Sequence, residues 1–100
     1  MVKEINDKEY KELVKKDKKV LIDCYASWCG PCRVLSPVID ALAEEYKDVK
    51  FYKVNVDEAE VITSEYSIMS IPTLLLFEDG ELKEKLVGLR SKSELEDLLK

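Results

Sequence analysis

The sequence predicts one α/β domain that spans residues 1–100 and is built on a mixed sheet. Residues 20–26 and 73–77 are apolar runs without regular polar alternation, which indicates strands that are covered on both faces. Apolar residues between these runs recur at helical spacing, most clearly in residues 34–46. Strands that alternate with helices are typical of a sheet with helices on both sides.

Apolar spacing and turn residues divide the chain into nine elements. Asp79-Gly80 predicts a tight hairpin between the last two strands, and Gly88 ends the final strand, whose charged residues suit a sheet edge. Three pairs have the spacing of a capping box at a helix start: Asn6 with Glu9, Asp57 with Glu60, and Ser91 with Glu94. In chain order, we predict a strand at residues 2–5, a helix at 6–16, a strand at 20–26, a helix at 31–47, a strand at 51–56, a short helix after Asp57, a strand at 73–77, a strand around 82–86 and a helix after Ser91.

The composition excludes several classes of function. The net charge of −5 argues against a nucleic-acid partner, which would require a basic face. No stretch approaches the roughly 20 apolar residues that cross a bilayer, and the first residues lack the apolar segment of a secretory signal. We therefore expect a cytoplasmic protein without a membrane anchor.

The segment Trp28-Cys29-Gly30-Pro31-Cys32 is the main candidate site. Two cysteines at this spacing can form a disulfide, supply half of a metal site, or exchange thiols with another protein. The pair follows a predicted strand and begins a predicted helix, where unpaired N–H groups and the helix dipole favour a thiolate. Cys29, on the outer side of the turn, is the predicted nucleophile, and Cys32, in the first helical turn, is the predicted resolving thiol.

The remaining residue counts argue against a metal centre. The chain has three cysteines and no histidine, whereas structural zinc sites usually have four protein ligands. Cys24 is expected to be a small buried apolar residue. Five residues of extended chain span about 16 Å, so Cys24 is too far along its strand to pair with Cys29.

The chain resembles the thioredoxin family along its whole length. Residues 28–32 are identical to the family's redox motif, Asp23 stands six residues before the first cysteine as in the family, and Ile71-Pro72-Thr73 matches a second family motif. The resemblance implies the thioredoxin fold, with a central mixed sheet of about five strands flanked by four helices.

The resemblance also implies roles for individual residues. Asp23 would exchange a proton with the dithiol, and Lys53 would approach it. From the residues alone, the less favoured alternative for Asp23 is a strand-end carboxylate bonded to backbone, whereas Lys53 could equally be an exposed edge-strand residue. Ile71–Pro72 would be a cis bond facing the dithiol. Substrate would contact a surface formed by Trp28, Gly30, Pro31, Ile71, Pro72 and Gly88.

The implied function is that of a protein dithiol–disulfide oxidoreductase that reduces disulfides in protein substrates. Its partners would be those substrates and a separate NADPH- or ferredoxin-dependent thioredoxin reductase, with the protein acting as a monomer in electron transport and cell redox homeostasis. No organic cofactor is expected, because the chain has no Gly-rich nucleotide motif. Two alternatives are an oxidase or isomerase of the same fold, and a non-catalytic interaction subunit.

Overall fold

The computed structural model describes residues 2–100, and these form a five-stranded mixed sheet between two layers of helices. The sheet order is β1-β3-β2-β4-β5; β1, β3 and β2 run parallel, and β4 and β5 are antiparallel to their neighbours. The predicted element order is confirmed. The strands are β1 (Lys3–Glu4), β2 (Lys19–Tyr25), β3 (Lys50–Asn55), β4 (Thr73–Glu78) and β5 (Glu81–Val87), and the helices are α1 (Tyr10–Lys16), α2 (Gly30–Glu45), α3 (Glu60–Glu65) and α4 (Lys92–Leu99).

Strand β2 lies at the centre of the sheet, and its side chains alternate between two hydrophobic cores. Ile22 and Cys24 pack with residues of α1 and α3 on one face, while Leu21 packs with residues of α2 and α4 on the other. The prediction of a strand covered on both faces is therefore confirmed. Each fully buried aliphatic side chain of this kind contributes roughly 1.5–3 kcal/mol of transfer free energy.

The hairpin between β4 and β5 forms at the predicted turn. Asp79 and Gly80 both have positive φ, at 53° and 83°, as a two-residue type I′ turn requires. Strand β5 is an edge strand, and its mostly exposed, charged residues blunt that edge against further pairing. Within residues 2–100, no helix has both the length and the apolar character needed to cross a bilayer.

Two of the three predicted capping boxes form. At α4, the Glu94 N–H donates to the Ser91 hydroxyl at 3.2 Å, and the Ser91 N–H donates to the Glu94 carboxylate at 3.1 Å. Asn6 and Glu9 bond in the same reciprocal way, at 3.1 and 3.2 Å. However, α1 begins only at Tyr10, because the Asn6 side chain accepts from successive N–H groups and keeps residues 7–9 in a turn.

The predicted cap of the third helix is wrong. Residues 56–58 form a 3-10 turn, and α3 begins at Glu60 after an Ala59 N-cap whose side chain cannot accept a hydrogen bond. The cap comes from Asp7, whose two carboxylate oxygens accept from the N–H groups of Val61 at 2.9 Å and Ile62 at 3.0 Å. A distant carboxylate thus satisfies orphan donors at a helix start, where the dipole also favours negative charge.

We expect Asp7→Ala to lower the free energy of unfolding by about 1 kcal/mol, the typical effect of losing a helix N-cap side chain. Urea denaturation at neutral pH measures the change. Asp48→Ala is the matched control, because Asp48 is an exposed aspartate whose loss should change stability by less than about 0.5 kcal/mol. Equal stabilities of the two variants would contradict the role of Asp7 as the cap of α3.

Candidate functional site

The dithiol lies at the junction between β2 and α2. Cys29 is the N-cap of α2 with an extended backbone (φ −90°, ψ 114°), and Pro31 follows in the first turn, where its missing N–H leaves no donor unsatisfied. The N–H of Cys32 donates to the Cys29 sulfur at 3.2 Å. The cysteines are disulfide-bonded with their Cα atoms 5.3 Å apart. Each is only 4% exposed, so overall exposure does not distinguish them.

A second backbone segment faces the first cysteine. The carbonyl oxygen of Ile71 lies 3.9 Å from the Cys29 sulfur, and the Ile71–Pro72 bond is cis, as expected from the resemblance. The Gly88 N–H donates to the Pro72 carbonyl at 2.8 Å, with Gly88 at φ 95°, a conformation that L side chains rarely adopt. The structure therefore brings Cys29, Ile71, Pro72 and Gly88 together.

An exposed aromatic side chain precedes the first cysteine. Trp28 is 66% exposed. The Trp28 indole N–H donates to the Asp57 carboxylate at 2.8 Å, and this bond fixes the ring while its face stays open to solvent. A Cβ added at Gly30 would meet no heavy atom within 4 Å, so packing within the chain does not require glycine there.

Asp23 lies behind the dithiol at the edge of a pocket of about 200 Å³. Its side chain is only 5% exposed, and its Oδ1 has no hydrogen-bond partner within residues 2–100. Burial raises the pKa of Asp23 to about 6; the charge of Lys53 opposes this rise and that of Asp40 adds to it. The pocket reaches the second cysteine but not the first, and it is lined by Asp23, Tyr25, Ala26, Ser27, Cys32, Arg33, Ser36 and Lys53.

Lys53 is the cross-strand neighbour of Asp23 on β3, and it is partly buried. Its ammonium lies 5.8 Å from the centre of the Tyr25 ring, within range of a cation–π interaction. In the part of the chain that the structure describes, no ion pair within 4 Å joins Lys53 to Asp23. Lys53 thus approaches the buried carboxylate without contacting it.

Cys24 is fully buried and unpaired, as predicted. It packs into the core that faces α1 and α3, whereas its neighbour Asp23 lines the pocket near the start of α2. Burial raises the pKa of Cys24 to about 12, with the charge of Asp23 as a smaller cause. A thiol with so high a pKa is unreactive at neutral pH.

The predicted site residues fall into two groups. The first is the segment 28–32, with Ile71 facing Cys29 and Gly88 bonded to Pro72; the second is Asp23 and Lys53, which line the pocket that reaches Cys32. Sequence reasoning missed the contacts of Asp57 with Trp28 and of Tyr25 with Lys53. Asp57 had been predicted as a helix cap, and no local pattern indicates a bond to an indole 29 residues away.

We expect Asp23→Asn to stabilise the oxidised protein at pH 7 by up to about 3 kcal/mol. A rise in pKa from 3.8 to about 6 means that ionising Asp23 costs the folded state this amount, at about 1.4 kcal/mol per tenfold change in equilibrium. The folded state binds the Asp23 proton more tightly than the unfolded state does. The stability that the protonated carboxyl contributes is therefore fully present below about pH 4 and is lost as pH rises through 6. The gain from Asn should shrink accordingly below pH 4.

Urea denaturation between pH 3.5 and 8 measures the difference in free energy of unfolding between Asp23→Asn and the parent. This range covers the pKa of Asp23 in the unfolded and in the folded state. Asp48→Asn is the control, because it removes an exposed carboxylate far from the pocket. A difference between Asp23→Asn and the parent that stays constant across this range would show that Asp23 does not titrate with a raised pKa.

The comparisons with known proteins agree with this geometry. The family model described as thioredoxin matches residues 1–100. A thioredoxin of Mycoplasmoides gallisepticum is 47% identical over 95% of this chain and 95% of its own, and one of Porphyra purpurea is 46% identical over 98% and 94%. The oxidised mitochondrial thioredoxin 3 of Saccharomyces cerevisiae superposes with a TM-score of 0.90, at 36% identity over 98% of this chain and 92% of that one. The chain therefore belongs to the thioredoxin family, and it is a protein disulfide reductase whose redox-active disulfide joins Cys29 and Cys32.

Proposed function

We propose that Cys29 attacks the substrate disulfide and that Cys32 resolves the resulting complex. The observation that carries this assignment is the hydrogen bond from the Cys32 N–H to the Cys29 sulfur at the start of α2. A backbone donor and the positive end of a helix dipole both favour the Cys29 thiolate. Cys32 instead lines the Asp23 pocket, which suits a thiol that must lose its proton later.

The reaction then has two thiol–disulfide exchanges. The Cys29 thiolate attacks one sulfur of the substrate disulfide, a mixed disulfide forms, and the other substrate sulfur leaves as a thiolate. Cys32 next gives its proton to Asp23 and attacks the Cys29 sulfur, which expels the second substrate thiolate and leaves the Cys29–Cys32 disulfide. The substrate gains two electrons, and the dithiol loses two.

Asp23 is the proposed proton acceptor because its pKa lies near neutral pH and its Oδ1 has no hydrogen-bond partner among the described residues. Lys53 is proposed to assist it, since its positive charge favours the ionised carboxylate that accepts the proton. The pocket of about 200 Å³ has room for water between Asp23 and Cys32.

The proposed substrate surface is an extended, shallow strip across the dithiol. Trp28 offers an exposed aromatic face, and the backbone beside Pro72 can pair with an extended substrate segment. Gly30 has no neighbour within 4 Å of an added Cβ, which leaves room for a substrate backbone to approach. Such a strip suits polypeptides, and the proposed contacts are Trp28, Gly30, Pro31, Ile71, Pro72 and Gly88.

Family membership implies disulfide-containing substrates and a reductase that restores the dithiol. We propose further that a thioredoxin reductase, using NADPH or ferredoxin, is this donor. We also propose that the chain acts in electron transport and redox homeostasis as a cytoplasmic monomer of one domain, without an organic cofactor or a nucleic-acid partner. The net charge of −5 supports the last point.

Cys32→Ser is expected to accumulate a covalent complex with a protein substrate, because serine cannot attack the mixed disulfide. The complex should appear on a non-reducing gel and disappear with dithiothreitol. Cys29→Ser is the matched variant and should give neither the complex nor turnover. Ordinary turnover by Cys29→Ser would contradict the dithiol mechanism, and a complex formed only by that variant would reverse the roles of the two thiols.

Asp23→Asn should slow the second exchange by roughly 100-fold, the lower end of what positioned proton transfer contributes. The first exchange should be unchanged, because Cys29 does not line the Asp23 pocket. Single-turnover measurements that follow Trp28 fluorescence and trapped mixed disulfide separate the two steps. In the parent protein, the second step should accelerate as pH rises through about 6 and Asp23 ionises; equal second-step rates in both proteins would remove Asp23 from the mechanism.

A further inference from the structure

Three charged residues form a row across the parallel part of the sheet. Glu4 of β1 and Asp23 of β2 are both cross-strand partners of Lys53 of β3. Side chains paired across neighbouring strands lie on the same face of the sheet, so two carboxylates flank one ammonium. None of the ion pairs within residues 2–100 joins Lys53 to either carboxylate.

Tyr25 lies next to this ammonium. It follows Asp23 by two residues on β2, and therefore its side chain lies on the same face. Its ring lies beneath the Lys53 ammonium, 5.8 Å from ring centre to Nζ, and its hydroxyl donates to the Glu4 carboxylate. The ring is thus fixed at its far end by β1 and contacts the lysine through its face.

We propose that Tyr25, anchored by Glu4, is a positioning residue that keeps the Lys53 ammonium out of direct contact with Asp23, so that Asp23 can still take up and release a proton near neutral pH. The inference rests on the proposed role of Asp23 and adds the residue that tunes it. A lysine free to form a close ion pair would make the carboxylate too weak a base to accept a proton from Cys32.

Few other groups act on Asp23. From α2, Asp40 is a second negative charge, while Arg33 and Cys32 line the same pocket. The cross-strand neighbour on β4 is the apolar Leu74. Lys53 is therefore the charge whose position most affects Asp23, since burial raises the pKa of this carboxyl and the ammonium opposes that rise. The ring that fixes the lysine controls the size of the opposing effect.

The test compares Tyr25→Leu with Tyr25→Phe. NMR of the labelled Asp23 carboxyl carbon in the oxidised protein follows its titration directly, and Asp23→Asn identifies the signal. Leucine removes the ring, so Lys53 should move towards Asp23 and shift the titration at least about one pH unit lower, the minimum for an opposite charge in contact. Phenylalanine keeps the ring and should shift it by less than half as much. No shift or an upward shift in Tyr25→Leu, or an equal shift in Tyr25→Phe, would overturn the proposal.

A Lys53→Met background separates the lysine from a general opening of the pocket. If Tyr25 acts through Lys53, Tyr25→Leu should leave the Asp23 titration unchanged in that background. A shift that persists there would mean that water entry is the cause, and the proposal would fail. Tyr25→Met provides a second ring-free variant if Tyr25→Leu does not fold. Because the titration needs no turnover, it is independent of whether Asp23→Asn slows the second exchange.

Discussion

The start of α2 at Cys29 is the constraint on which the site depends. A helix N-terminus has backbone donors without partners, and an oxygen of Ser, Thr, Asp or Asn usually accepts one of them. Here the acceptor is the Cys29 sulfur, to which the Cys32 N–H donates. The central strand β2 and the helix that follows it fix this junction from both sides, through pairing with β3 and β4 and through the core beneath α2.

Strand β2, which helps to fix this junction, also carries a residue whose burial is energetically unfavourable. Asp23 is almost fully buried in the middle of the sheet, and one of its oxygens has no partner in the described chain. An isolated buried carboxyl destabilises the ionised folded state, and a protein selected for stability alone would not retain it. Asp23 shares a pocket with Cys32, and the proton transfer proposed for it would account for this loss.

Features that depend on neighbouring residues were predictable from the sequence, and features that depend on register were not. The type I′ turn at Asp79-Gly80 and the dithiol at a strand-to-helix junction follow from local patterns. The capping of α3 by Asp7 joins residues more than 50 positions apart. The carboxylate of Asp57, which was expected to cap this helix, instead accepts a hydrogen bond from the Trp28 indole. The contact between Tyr25 and Lys53 likewise arises only once β2 and β3 pair in one register.

The burial of Cys24 limits the electron capacity of the folded chain. Its sulfur lies in the core between the sheet and α1 and α3, away from the dithiol, and its pKa of about 12 keeps it a neutral thiol. Neither a substrate nor a neighbouring copy can reach it without opening that core. The Cys29–Cys32 pair is therefore the one disulfide that the described folded chain can form, and the third sulfur takes no part in disulfide shuffling while the sheet remains intact.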